Sequence, residues 1–308
     1  MLMPPSLVAL TPRTFWMPPA PPDRPSLLAL VGARETVLFD AGASAAHAAA
    51  LLDALAAAGP HAPVRTMAVT HWHWDHVFGA AHIVEATGAA LIAHTHTAER
   101  LAQMARLAWD DAALAARVAD GREIAFCADN IRLELPAPRT VHIPPVVVRF
   151  SRELLLDAGG AHALLVHVGG DHADDSVVAW LPGERVLFLG DALCDAIYDT
   201  PARYLTTARL FPLLDRLEAF PAEHVIEGHG DEVMSAAAFA RLIAQFRAAG
   251  LWADAHADAA PSLLEAGGWA ERLAASTIDR ALLDDDLTEL AGLFLAGHAY
   301  GFASAVSP

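Results

Sequence analysis

Cysteine is nearly absent. The 308-residue chain has two, Cys127 and Cys194, too few for a disulfide scaffold or a four-thiolate zinc site. Basic residues are scarce as well. Against 37 Asp and Glu there are 20 Lys and Arg, a net charge of −17, which repels a phosphate polymer at long range and argues against nucleic-acid binding over a broad surface. Long apolar runs are also missing. Hydrophobic residues make up 55% of the chain, but much of that is alanine, and no stretch of about 18 apolar residues is free of charge, His or Pro. Met1 to Pro25 has no basic segment followed by an apolar one. The expectation is a soluble, cytoplasmic protein with no membrane partner. At roughly 150 residues per domain, the length allows one large or two small domains. What the chain has in excess is histidine, with 16 residues.

The pattern along the chain is that of a layered α/β protein. A short apolar run, Leu7 to Leu10, precedes a proline-dense turn, Pro18 to Pro25, which cannot sit inside a sheet. Apolar runs Leu27 to Val31 and Thr36 to Phe39 predict strands, the second ending at Asp40-Ala41-Gly42. An Ala/Leu helix is predicted from about Ala45 to Ala58, stopping at Gly59-Pro60, followed by a strand at Thr66 to Val69. Next come a helix to about Thr87, a strand at Ala90 to Ala93 and a helical stretch from about Ala98 to Ala119. Short strands are predicted within Ile131 to Phe150 and at Leu154 to Leu156, Ala163 to Val168, Val177 to Leu181 and Val186 to Leu189. From Leu210 onward the helical period returns, and Asp284 stands where a helix N-cap is expected. Helices are expected on both sheet faces.

The segment Thr70-His71-Trp72-His73-Trp74-Asp75-His76 carries the chemistry. It packs three imidazoles and one carboxylate into six residues directly after an apolar strand, and imidazole with carboxylate suits zinc and neighbouring divalent ions. At an extended strand end His71 and His73 point the same way, while Asp75 and His76 fall where the chain turns. One segment can therefore serve two adjacent ions.

The segment resembles the HxHxDH signature of the metallo-β-lactamase-fold hydrolase superfamily. Three later loops resemble further motifs of that family, each after a predicted strand: Gly170-Asp171-His172-Ala173-Asp174-Asp175-Ser176, Gly190-Asp191, and Glu227-Gly228-His229-Gly230. The resemblance implies an α/β fold, the four-layer αββα sandwich, over residues 1–235, with a C-terminal helical extension at 236–308 packed on it. It implies that His71, His73 and His172 hold one divalent ion and that Asp75, His76 and His229 hold a second, with Asp191 between them. The ions are expected to be zinc, with iron or manganese as alternatives. Each keeps open positions for substrate and a bridging hydroxide, as catalytic sites do.

The chain departs from the family pattern at Ala173, Asp174 and Asp175, and at Glu227, where proline is frequent. Asp191 replaces the Cys or Ser of the zinc β-lactamases, moving the reading toward the glyoxalase II and lactonase branches. His73, where flavodiiron relatives place Glu, favours hydrolysis over redox chemistry. The implied activity is hydrolysis of an ester, lactone or thioester bond in a small molecule, with Asp75 as the catalytic acid. An iron-dependent persulfide dioxygenase and a true β-lactamase are the alternatives. Trp72, Tyr198, Tyr204 and His94 are candidate substrate contacts. Asp171, Asp174 and Asp175 are expected in a solvated loop, and a homodimer is the expected assembly.

Overall fold

The computed structural model describes residues 7–59, 61–198 and 203–301. Pro60, placed by the sequence at a helix stop, and the last seven residues of the tail lie outside them. The chain forms two compact units, Met1–Val168 with Asp175–Asp191 and Ala222–Val233, and Gly169–Asp174 with Ala192–Pro221 and Met234–Pro308.

In the first unit, one mixed sheet follows chain order: β1 (Val8–Ala9), β2 (Thr14–Met17), β3 (Leu27–Val31), β4 (Thr36–Phe39), β5 (Val64–Ala68), β6 (Ala90–His94) and β7 (Val148–Phe150). Strands β1 to β4 are antiparallel, and β4 to β7 are parallel. Five strands of the second, six-stranded sheet belong to this unit, β8 (Glu153–Asp157), β9 (His162–His167), β10 (Val177–Leu181), β11 (Val186–Gly190) and β12 (His224–Glu227), and among these five the β11/β12 pair is parallel and the others antiparallel. Residues from both sheets form one core, including Leu28, Leu30, Val37 and Phe39 from the first and Leu165, Ala179, Phe188 and Ile226 from the second. Burial of both faces explains why β3, β4, β10 and β11 read as continuous apolar runs.

The helices of this unit are α1 (Ala45–Ala58), α2 (Trp74–Val77), α3 (Ala80–Thr87), α4 (Thr95–Met104), α5 (Asp111–Ala119) and α6 (Ala125–Glu134). Ser44 caps α1 by accepting from the His47 N–H. Two expectations change here. The stretch 98–119 is two helices, because Asp110 accepts from the Ala113 N–H and starts α5 afresh. The strands expected in Ile131 to Phe150 reduce to β7, and α6 takes the start of that segment. Cys127, Ala128 and Ile131 form its buried face, but Phe126 and Leu133 are exposed on the other side, which obscures the helical period.

The second unit is helical: α7 (Thr207–Glu218), α8 (Ala236–Asp254), α9 (Ala260–Ala266), α10 (Trp269–Ala274) and α11 (Asp285–Ala299). Leu210, Leu213, Leu214 and Leu217 are the buried stripe of α7, and Phe239, Ile243 and Phe246 that of α8. Asp284 caps α11, accepting from the Leu287 N–H at 2.9 Å. Among the described residues, no helix is long and apolar enough to cross a membrane.

Phe188 lies fully buried between the sheets. Phe188→Ala is expected to lower unfolding free energy by about 3–5 kcal/mol, measured by denaturant titration; a loss below about 1 kcal/mol would contradict this packing.

Candidate metal centre

The site is built where parallel strands end. Phe39 of β4 pairs with Ala68 of β5, so Asp40 and Thr70, just beyond them, are neighbours. Asp40 is fully buried and has φ +62°, a left-handed conformation that aspartate tolerates better than most residues. Its carboxylate accepts from the Thr70 N–H at 2.7 Å, the Thr70 hydroxyl at 2.9 Å and His76 Nδ1 at 2.8 Å. The Thr70 hydroxyl spends its one proton on Asp40, so at 3.0 Å it accepts from His71 Nδ1. Both imidazoles thereby have Nδ1 engaged as a donor, which fixes the ring orientation.

The sequence segment then turns as expected. The His71 ring centroid lies 4.4 Å from that of His73 and 4.3 Å from that of His76. Asp75 and His76 enter on α2, Asp191 follows β11 and His229 follows β12. Asp75, His76, Asp191 and His229 offer ligand atoms all within 4.8 Å of one another. His76 Nε2 is 3.3 Å from Asp75 Oδ2 and 3.4 Å from Asp191 Oδ1, while His229 Nε2 is 3.1 Å from Asp75 Oδ2 and 3.5 Å from Asp191 Oδ2.

Two glycines make this closeness possible. A Cβ on Gly228 would stand 1.9 Å from Asp191 Oδ1, and one on Gly190, whose φ is +52°, would stand 2.7 Å from the Thr70 hydroxyl. The Gly228 N–H donates to the Gly190 carbonyl at 2.8 Å, joining the two loops.

The electrostatics match a cation site. Burial opposes ionisation of Asp75, yet His76 and His229 hold its carboxyl well below the usual range. Burial also opposes charge on His76, but Asp75, Asp191 and Asp40 push it well above an ordinary imidazole. His229 behaves likewise, with Asp191 and Asp75 prevailing over burial to raise it to about 11. Burial and then Asp191 raise Glu227, and burial and then Asp75 push Asp23 up to about 6. Among the described residues, buried His76 Nε2 makes no well-formed hydrogen bond, although the Asp75 and Asp191 carboxylates face it. An oxygen-and-imidazole set with surplus carboxylate fits a divalent metal ion.

His172 belongs to the second unit. It is 8% exposed, and its Nδ1 donates to the Asp195 carbonyl at 2.9 Å. Asp195 is clamped by Arg203 at 2.5 and 2.7 Å. Two loop aspartates depart from expectation. Asp171 is buried and accepts from the Thr206 N–H and hydroxyl at 2.7 and 2.9 Å. Asp175 is buried with Arg100 at 3.2 Å. Asp174 alone is exposed. Both buried carboxylates have donors distant in sequence, Thr206 for Asp171 and Arg100 for Asp175.

Among the substrate candidates, Trp72 flanks His73 at 4.8 Å between ring centroids, and Arg100 lies 5.4 Å over the Trp72 ring. His94 is buried, accepts from the His96 N–H and lies 3.2 Å from the Ser151 carbonyl, so it caps α4. Tyr204 is 1% exposed in a cluster with Ala196 and Ala296. Tyr198 is half-buried. Sequence reasoning missed Asp40 and the role of Thr70. The available signal was an acidic residue before Ala-Gly at the end of an apolar strand.

A profile described as "Metallo-beta-lactamase superfamily" matches residues 22–256. A metallo-beta-lactamase type 2 from Bacteroides fragilis is 32% identical over 109 residues. That match covers 34% of this chain and 43% of the relative, less than half of its length. The structure of the stereoselective inverting sec-alkylsulfatase Pisa1 from Pseudomonas sp. superposes with a TM-score of 0.65 at 17% identity, covering 98% of this chain and 50% of that one. A beta-lactamase domain protein from Burkholderia ambifaria gives 0.59 at 18% identity, covering 98% and 90%. These likenesses show the fold.

Gly228→Ala is expected to displace the Asp191 carboxylate and reduce bound metal per chain, read by elemental analysis after purification. Gly230→Ala, whose added Cβ would meet the Glu227 side chain at 3.3 Å, is the tolerated control. Equal metal content in Gly228→Ala and the unsubstituted protein would contradict the steric argument.

Proposed function

The chain belongs to the metallo-beta-lactamase superfamily, and we propose that it is a dinuclear metal-dependent hydrolase that cleaves an ester, lactone or thioester bond in a small molecule. The observation that carries this reading is the convergence of Asp75, His76, Asp191 and His229 within 4.8 Å. In the proposal Asp75, His76 and His229 hold one ion, His71, His73 and His172 hold the other, and Asp191 serves both. Zinc suits this imidazole-rich set best, and iron or manganese fits the carboxylates. When bound, the ions would supply Lewis acidity and lower the pKa of water toward about 7.

The chain's own residues perform the remaining tasks. Asp75, beside His76 and His229, takes a proton from the attacking water and returns it to the leaving group. Asp40 and Thr70 hold His76 and His71 in one tautomer, so no reorientation is needed on turnover. Trp72, beside His73, is the expected substrate contact whose position best supports a pocket wall; the buried sites of His94 and Tyr204 favour packing roles. Residues 1–235 are read as the catalytic domain and 236–308 as a helical extension.

His73→Ala and Asp191→Ala are expected to lower hydrolysis of at least one of a lactone, thioester and aryl-ester panel by more than about 100-fold, beyond the 10–100-fold typical of residues that only support a ligand. Metal content is measured in parallel. A β-lactam and a secondary alkyl sulfate belong in the panel, since relatives bear those names. One iron per chain with oxygen uptake would replace the reading with the dioxygenase. Full activity in metal-depleted variants would sink it.

A further inference from the structure

His76 Nδ1 meets Asp40 at 2.8 Å and His71 Nδ1 meets Thr70 at 3.0 Å, so each ring is held on the side opposite Nε2. His229 is the third site imidazole of this unit with an Nδ1 neighbour. Its Nε2 faces Asp75 and Asp191, and its Nδ1 turns to Asp23 Oδ1 at 3.7 Å. It is also the ligand with the most exposed side chain, 33% against 0–7% for His76, Asp75 and Asp191. Of the three it has the greatest need of a partner to fix its ring.

We propose that Asp23 is the positioning residue of His229, its carboxylate accepting the Nδ1 proton so that Nε2 is presented to the second metal ion. This rests on the metal reading above. A carboxylate paired with the far nitrogen of a ligating histidine fixes its tautomer and raises its basicity. The loop carrying Asp23 is anchored on both sides. Arg24 binds Glu134 at 2.8 Å, and Glu134 accepts from the hydroxyl of Ser44, the cap of α1. Ala20 and Arg24 exchange backbone hydrogen bonds at 2.9 and 2.8 Å. The Ser26 N–H donates to the Gly228 carbonyl at 2.6 Å, tying the loop to the residue before His229, and the Ser26 hydroxyl accepts from Trp16 Nε1 at 3.0 Å.

Asp23 is thus held at a set distance from His229 by contacts that do not involve its own side chain. Beside the pair lies a recess of about 240 Å³ lined by residues 19–24, His229 and Asp231. In the proposal the carboxylate closes from 3.7 Å to hydrogen-bond distance by side-chain rotation within this recess. The proline-dense arm, which the sequence marks only as irregular, acquires a role in the chemistry.

The test uses the full chain and zinc alone, titrated against a chromophoric chelator, with cobalt(II) absorption as a second readout. The unsubstituted protein should bind two zinc ions. Asp23→Ala should weaken the second by about 10- to 100-fold, leave the first unchanged and alter the cobalt band of the second site. The isosteric Asp23→Asn should show a smaller loss, because the amide oxygen still accepts. Asp231→Asn, which removes a carboxylate from the same recess, should match the unsubstituted protein. If both zinc affinities and the cobalt spectrum of Asp23→Ala equal those of the unsubstituted protein, the inference fails while the metal reading stands. An equal loss in Asp231→Asn would assign the effect to bulk charge and also overturn it. Failure of the unsubstituted protein to bind a second ion would overturn the metal reading and this inference together.

Discussion

Three donors, the N–H and hydroxyl of Thr70 and Nδ1 of His76, converge on the buried carboxylate of Asp40, and the geometry around the proposed metals depends on that anion. A buried carboxylate without partners costs several kcal/mol, so the segment after β5 folds back onto the end of β4. The fold-back sets His76 directly and His71 through the Thr70 hydroxyl. The left-handed backbone of Asp40, φ +62°, is the local cost of aiming the carboxylate inward, and the hydrogen bonds hold it there.

The second sheet meets this arrangement through steric constraints. Parallel pairing of β11 with β12 brings Gly190 opposite Glu227, so the loops carrying Asp191 and His229 leave the sheet side by side. They approach closely only because neither Gly190 nor Gly228 has a side chain to place against Thr70 or Asp191. The short Gly-Asp and Gly-His motifs therefore have a mechanical meaning: Gly228 makes the space that the Asp191 carboxylate occupies, and Gly190 the space that Thr70 occupies.

This explains what the sequence revealed and what it hid. β3, β4, β10, β11, α1 and the Asp284 cap were legible because burial on both faces, or one capping side chain, leaves a local trace. The HxHxDH segment and the later motifs were legible because ligand types cluster beside strand ends. α6 was not legible, since Phe126 and Leu133 are apolar on its exposed face. The partners that hold the proposed ligands were hidden for another reason. Asp40 lies 36 residues from His76, and Asp23 and His229 are brought together only by the folded sheet. No local pattern encodes such pairs, and an aspartate among prolines looks like any solvated loop.

The acidic surplus also has a specific use at the site. Asp75 and Asp191 sit within ligand distance of the same two imidazoles, and buried carboxylates so close repel each other unless a cation lies between them. Without metal, His76 and His229 supply that cation by holding protons, which is why both are raised above ordinary imidazole. A divalent ion supplies it more compactly and needs the same nitrogens free of protons. Proton and metal thus compete for one set of atoms. Partners that fix Nδ1, such as Asp40 on His76, bias the contest by keeping each ring's single proton on the side away from the metal.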